Sequence, residues 1–128
     1  MSSRFSTLLR GLVSNGARTA PDAGDERLRG RTYPVPFDRV WRAALGLAGG
    51  RLERWDLLEA DDEQGLIRSA VEKRLLAPAG EVTIRITLDA DAQTRVDALA
   101  IAPGRWADLG AGARRLVRFF RALDRALE

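Results

Sequence analysis

A chain of 128 residues with 45% hydrophobic and 30% charged positions is long enough to bury one core without disulfides or metal. It contains neither Cys nor His, which excludes a disulfide framework, a thiolate nucleophile, a Cys or His metal centre and the usual general base near neutral pH. Its net charge of +3 spreads 21 basic residues, all but Lys73 arginine, among 18 acids, so no clustered basic field points to nucleic acid.

Residues 1–30 read as an arm. Arg10 interrupts its apolar start before a signal-peptide core of ~7–15 residues can build up. No apolar run approaches the ~18 residues of a membrane span, so the expected location is the cytoplasm. Phe5, Leu8, Leu9 and Leu12 fall at helical spacing and predict a short amphipathic helix over residues 3–13. An isolated helix shorter than ~12–15 residues is marginal in water, so it needs a surface to lie on. That surface could be protein, and peripheral membrane contact by the arm also stays open. Ser14-Asn15-Gly16 and Ala20-Pro21-Asp22-Ala23-Gly24-Asp25 are turn and linker chemistry. The expected division is therefore an arm over 1–30 and a single domain over 31–128.

Thr32-Tyr33-Pro34-Val35 is extended, because each residue before a proline is pushed out of the α region. Phe37–Leu45 predicts a helix with Phe37, Val40, Trp41, Ala44 and Leu45 on one face, ended by Gly49-Gly50. Four strands follow. Glu53–Ala60 turns Trp55 and Leu57 inward, and Leu66–Leu75 aligns Ile67, Ser69 and Val71. Glu81–Leu88 alternates most clearly, with Val82, Ile84, Ile86 and Leu88 inward, and Thr94–Ala102 is the last. The order β-α-β-β-β-β-α with short connections predicts an α+β fold: an antiparallel four- to five-stranded sheet with both helices on one face.

From Gly104 to Glu128 the pattern is that of one long helix. Leu109, Ala113, Leu116, Phe120, Leu123 and Leu127 form its seam at steps of 4, 3, 4, 3 and 4. Asp108 stands where an N-cap belongs. Gly110 and Gly112 in the first turn cost about 1 kcal/mol each against Ala, so either close packing on the sheet or a bound anion must require them. Arg114, Arg118, Arg121 and Arg125 form a second stripe, which suits a solvated face and leaves an anionic lipid or nucleic-acid surface as the alternative.

The segment Tyr33-Pro34-Val35-Pro36-Phe37-Asp38-Arg39-Val40-Trp41, with Trp55, Gly65-x-Ile67, Arg95-Val96-Asp97 and Asp108-Leu109-Gly110-Ala111-x-Ala113-Arg114-Arg115-Leu116, resembles the domain of unknown function 1499 family over about residues 31–125. The resemblance implies a helix-grip-like fold and no established activity.

For chemistry the motifs are sparse. Asp108, Gly110, Gly112 and Arg115 form a candidate anion site, although Arg115 stands where a dinucleotide fingerprint has its third glycine and the parallel βαβ setting is missing. The acidic turns Asp61-Asp62-Glu63 and Asp89-x-Asp91 lack the ligand spacing of a calcium loop. No phosphate loop or nucleophile elbow is present, so no catalytic residue, metal or cofactor is expected. If Val96, Ala98 and Ala100 face the helices, Leu99 and Ile101 face outward, beside an arm carrying Phe5, Leu8, Leu9 and Leu12. The favoured reading is a non-enzymatic binding or assembly module that meets a protein partner or a second copy through that face. The alternative is a carrier of a small apolar or lipid-like ligand held between the last helix and the sheet, a use suggested by fold analogy.

Overall fold

Alternation along Glu81–Leu88 produces the centre of the sheet: Val82, Ile84 and Ile86 are buried, and they meet Val96, Ala98 and Ala100 of the next strand in one cluster. The computed structural model describes residues 25–73, 79–89, 92–102 and 110–128. Its elements are β1 (Asp25–Tyr33), α1 (Phe37–Gly46), β2 (Trp55–Asp61), β3 (Leu66–Val71), β4 (Gly80–Asp89), β5 (Gln93–Ala102) and α2 (Ala111–Ala126). All strand pairs are antiparallel, in the order β1-β5-β4-β3-β2, so β1 and β2 are the two edges. Val40 and Ala44 of α1 and Leu116, Phe119, Phe120 and Leu123 of α2 join the same cluster, which puts both helices on one face of a five-stranded sheet. None of the described helices is long and apolar enough to cross a membrane.

Residues 25–30, read from the sequence as the end of the arm, belong to β1, which pairs residue for residue with β5 from Asp25↔Ala102 to Tyr33↔Thr94. The segment is rich in charge and carries Gly30, so neither propensity nor alternation announces a strand. Its backbone hydrogen bonds to β5 decide the matter. Tyr33, buried at the end of β1, donates from its hydroxyl to Asp124 Oδ1 of α2 at 2.7 Å. Arg31 pairs with the same carboxylate and lies over the Phe120 ring at 5.6 Å.

After α1 the chain makes a wide π-type turn, Leu47–Arg51, where Gly50 takes φ 135°. The turn is anchored from the sheet. The buried Ser69 hydroxyl lies 2.8 Å from the Ala48 carbonyl and 3.0 Å from that of Asp56, sharing its one proton between them. Two inward assignments do not hold. Leu57 is 43% exposed although it pairs in register with the buried Ser69: it lies on the edge strand β2, which has a neighbour on one side only. Leu88 is 70% exposed, at the end of β4 and outside the core cluster.

Candidate ligand-binding site

The face of α2 turned to the sheet is broader than the predicted seam. Ala111, Gly112, Arg115, Leu116, Phe119, Phe120 and Leu123 are buried, whereas Ala113 is partly exposed. Phe119, which the seam omitted, has no exposed surface and stacks on Trp55 of β2 with ring centres 6.0 Å apart. Phe120 meets Phe119 edge-on at 5.2 Å. These rings pack between the middle of the helix and the sheet. One described cavity lies towards the start of α2.

There, Trp55 and Val71 from the paired ends of β2 and β3 form an apolar wall, and Arg54, Arg114, Arg115 and Arg118 line a cavity of about 220 Å³ together with the carboxylate residue Glu53. Arg54 has φ 73°, the left-handed region that a side chain rarely adopts. Its carbonyl accepts from the Glu72 N–H at 2.9 Å, which ties this strained residue to the chain just beyond β3. Arg115 is only 8% exposed, and its guanidinium lies so close over Gly80 that a Cβ there would collide with it.

The cavity runs into a shallower trough of about 570 Å³ that shares Arg114 and Arg118 and continues past Val117, Ala122 and Leu52 to Arg121 and Arg125. The arginine stripe is exposed as its spacing predicts. A third cleft, of about 500 Å³, lies between Phe37, the Asp62–Gly65 turn and the end of β4. In that turn Asp61 accepts from the N–H groups of Glu63 at 3.1 Å and Gln64 at 3.3 Å, an ordinary use for an acid in a hairpin. Among the described residues no group of three or more acids could hold a metal ion.

Of the residues singled out for binding an anion, Asp108 lies outside the described residues. The N-cap of α2 is Gly110, at φ 81°, without a side-chain cap. Gly110 is thus required by backbone conformation, whereas Gly112 is buried in the first turn. Leu99 does sit on the face away from the helices, since it is absent from the core cluster that holds Ala98 and Ala100, yet it has no exposed surface. Ile101 is half-buried. The outward apolar row is therefore not open surface at Leu99. Phe5, Leu8, Leu9 and Leu12 lie outside the described residues. No sequence motif marks Arg54 or Val71 as site residues, and alternation marks Trp55 as core alone; the adjacency of Arg54 and Trp55 at a strand start is the available signal.

No protein-family profile matches the chain, and no curated protein is similar to it in sequence. Solved structures are similar in fold. An uncharacterised protein from Bacillus thuringiensis matches with a TM-score of 0.57 at 11% identity, covering 80% of this chain and 96% of that one. Ara h 8.0201 matches with a TM-score of 0.58 at 8% identity, covering 80% and 97%. The di-domain ARO/CYC protein BexL of the BE-7585A biosynthetic pathway matches with 0.56 at 18% identity, covering 80% of this chain and 45% of that chain. At such identities the likeness is one of fold, the helix grip of an antiparallel sheet around a C-terminal helix.

Proposed function

We propose that this protein is a non-enzymatic binding module for a small apolar molecule carrying an acidic group. The observation that carries the reading is the cavity at the start of α2, where the apolar wall of Trp55 and Val71 meets the buried guanidinium of Arg115 and those of Arg54, Arg114 and Arg118. Guanidinium groups recognise carboxylates through paired N–H donors, and a partly dry setting strengthens that bond. The cavity falls below the usual ~300–1,000 Å³ of ligand sites, so a fragment-sized acid fits within it and a longer tail would lie in the adjoining trough. With neither His nor Cys anywhere in the chain, binding is better supported than turnover.

Ligand-induced thermal stabilisation tests the proposal. Octanoate should raise the melting temperature in proportion to the logarithm of its concentration, and octylamine, of similar length and opposite charge, should not. Replacing Arg54→Gly keeps the backbone conformation and removes one guanidinium, so the octanoate response should weaken while the fold persists. Equal responses to acid and amine, or none to either, would reject the reading. Native mass spectrometry of protein isolated from its own host would then identify the resident molecule.

A further inference from the structure

We infer that the outer face of α2 is a docking surface for an anionic lipid bilayer. Arg114, Arg118, Arg121 and Arg125 recur at steps of 4, 3 and 4, one row along the helix, of about 16 Å at 1.5 Å per residue. They line the trough whose floor is Ala113, Val117, Ala122 and Leu52. Elsewhere Arg31 is bridged to Asp124, Arg42 to Asp38, Arg68 to Glu59 and Glu81, and Arg95 to Asp97, while Arg29, Arg39, Arg51 and Arg54 are exposed without an ion pair among the described residues but are scattered over β1, α1 and the turns before β2 rather than set in a row. Arg118, Arg121 and Arg125 have no ion pair among the described residues, and Asp124, on the same helix, is turned to Arg31 and Tyr33 of β1.

Arg118, Arg121 and Arg125 thus form a field of positive charge without ion pairs among the described residues, beside an apolar floor. A lipid surface satisfies both halves of that pattern. Headgroup phosphates take the guanidinium forks while the arginine stems and Val117 lie against the upper acyl chains. A nucleic-acid duplex would use the charge and leave the apolar floor in water, and the described lining of the trough offers no aromatic ring on which single-stranded bases could stack. The row shares Arg114, Arg118 and the trough with the ligand reading, and the two are told apart by experiment: vesicle binding without an octanoate response supports this inference alone, and an octanoate response without vesicle binding supports the ligand reading alone.

Co-sedimentation with phosphatidylcholine vesicles, with and without phosphatidylglycerol, tests it on the full chain. Each basic side chain near an anionic surface is worth roughly five-fold in partitioning, so Arg118→Gln/Arg121→Gln/Arg125→Gln should lose roughly a hundred-fold. A charge-matched control, Arg39→Gln/Arg42→Gln/Lys73→Gln, should lose far less, and near-ultraviolet circular dichroism should show both triple variants folded. Binding to the anionic vesicles should fall with added salt, and pure phosphatidylcholine should bind little. The inference fails if the chain ignores phosphatidylglycerol vesicles, if the two triple variants lose binding equally, or if duplex DNA at the same salt binds more tightly than the vesicles through the same three arginines.

Discussion

Tyr33 is the chain's one tyrosine, and its surroundings act on its titration in a readable way. Burial and the hydrogen bond to Asp124 both hold its proton, so the phenol titrates well above its ordinary range. An acid whose folded pKa is raised contributes stability that is complete below the unfolded value, about 10, and is lost as pH rises through the folded one. Tyr33→Phe should therefore cost about 1 kcal/mol near pH 7, the usual worth of such a bond. The deficit should shrink and reverse in strongly alkaline solution, where the wild-type phenol must ionise beside Asp124. Urea midpoints of the two proteins across that range check the sign, and the phenolate absorbance of the folded chain should appear late. At Arg54 the prediction runs the other way. Arg54→Gly relieves a left-handed backbone and should stabilise the fold by up to about 1 kcal/mol, against the weaker octanoate response expected above. A loss of both stability and ligand response would show that the Arg54 side chain is structural.

Among the elements, α2 carries the most packing information. Phe119 is sealed between the helix and Trp55, and Phe120 is 4% exposed beneath Arg31. Phe119→Ala and Phe120→Ala should each cost about 3–5 kcal/mol, the common range for truncating a buried aromatic ring. Arg118→Ala on the opposite face should leave the denaturation midpoint nearly unchanged, since an exposed cation without an ion pair has little stability to lose. Comparable losses at Phe119 and Arg118 would contradict the packing of α2. The helix was legible in the sequence from its period, and its seam was right at Leu116, Phe120, Leu123 and Leu127. Phe119 was missed because a seam drawn at alternating steps of four and three is narrower than the face a curved sheet covers. The cap was misjudged for a related reason. A short polar residue is the usual N-cap, whereas this helix starts on a left-handed glycine whose need is written in φ and not in side-chain chemistry.

At the scale of the molecule the edges of the sheet matter most. β1 pairs with β5 over nine positions, six of which lie before residue 31. A chain beginning at Arg31 loses those pairs and strips one side of β5, so it should unfold or aggregate. A chain beginning at Asp25 retains every pair and should show the near-ultraviolet dichroism of the full protein. Similar behaviour of the two truncations would mean that β1 adds little to the sheet. Leu99 belongs to this scale as well. It lies in a central strand, opposite Leu28 and Thr83 in register, and is wholly shielded although it points away from the helices.

What the sequence by itself determined is whatever depends on local period and turn chemistry: three interior strands with their inward residues except Leu88, two amphipathic helices, and the stripe of arginines on α2. It also ruled out chemistry needing His or Cys. Tertiary structure decided everything that depends on pairing across distance. β1 exists because β5 offers it a partner, which no alternation within Asp25–Tyr33 announces. Leu57 is exposed because its strand lies at the edge of the sheet, a position that the period along the strand does not reveal. The candidate site follows the same rule. Trp55, Val71 and Arg115 come from three elements and Arg54 from the turn before β2, and a cavity is a property of the gap between them rather than of any one segment.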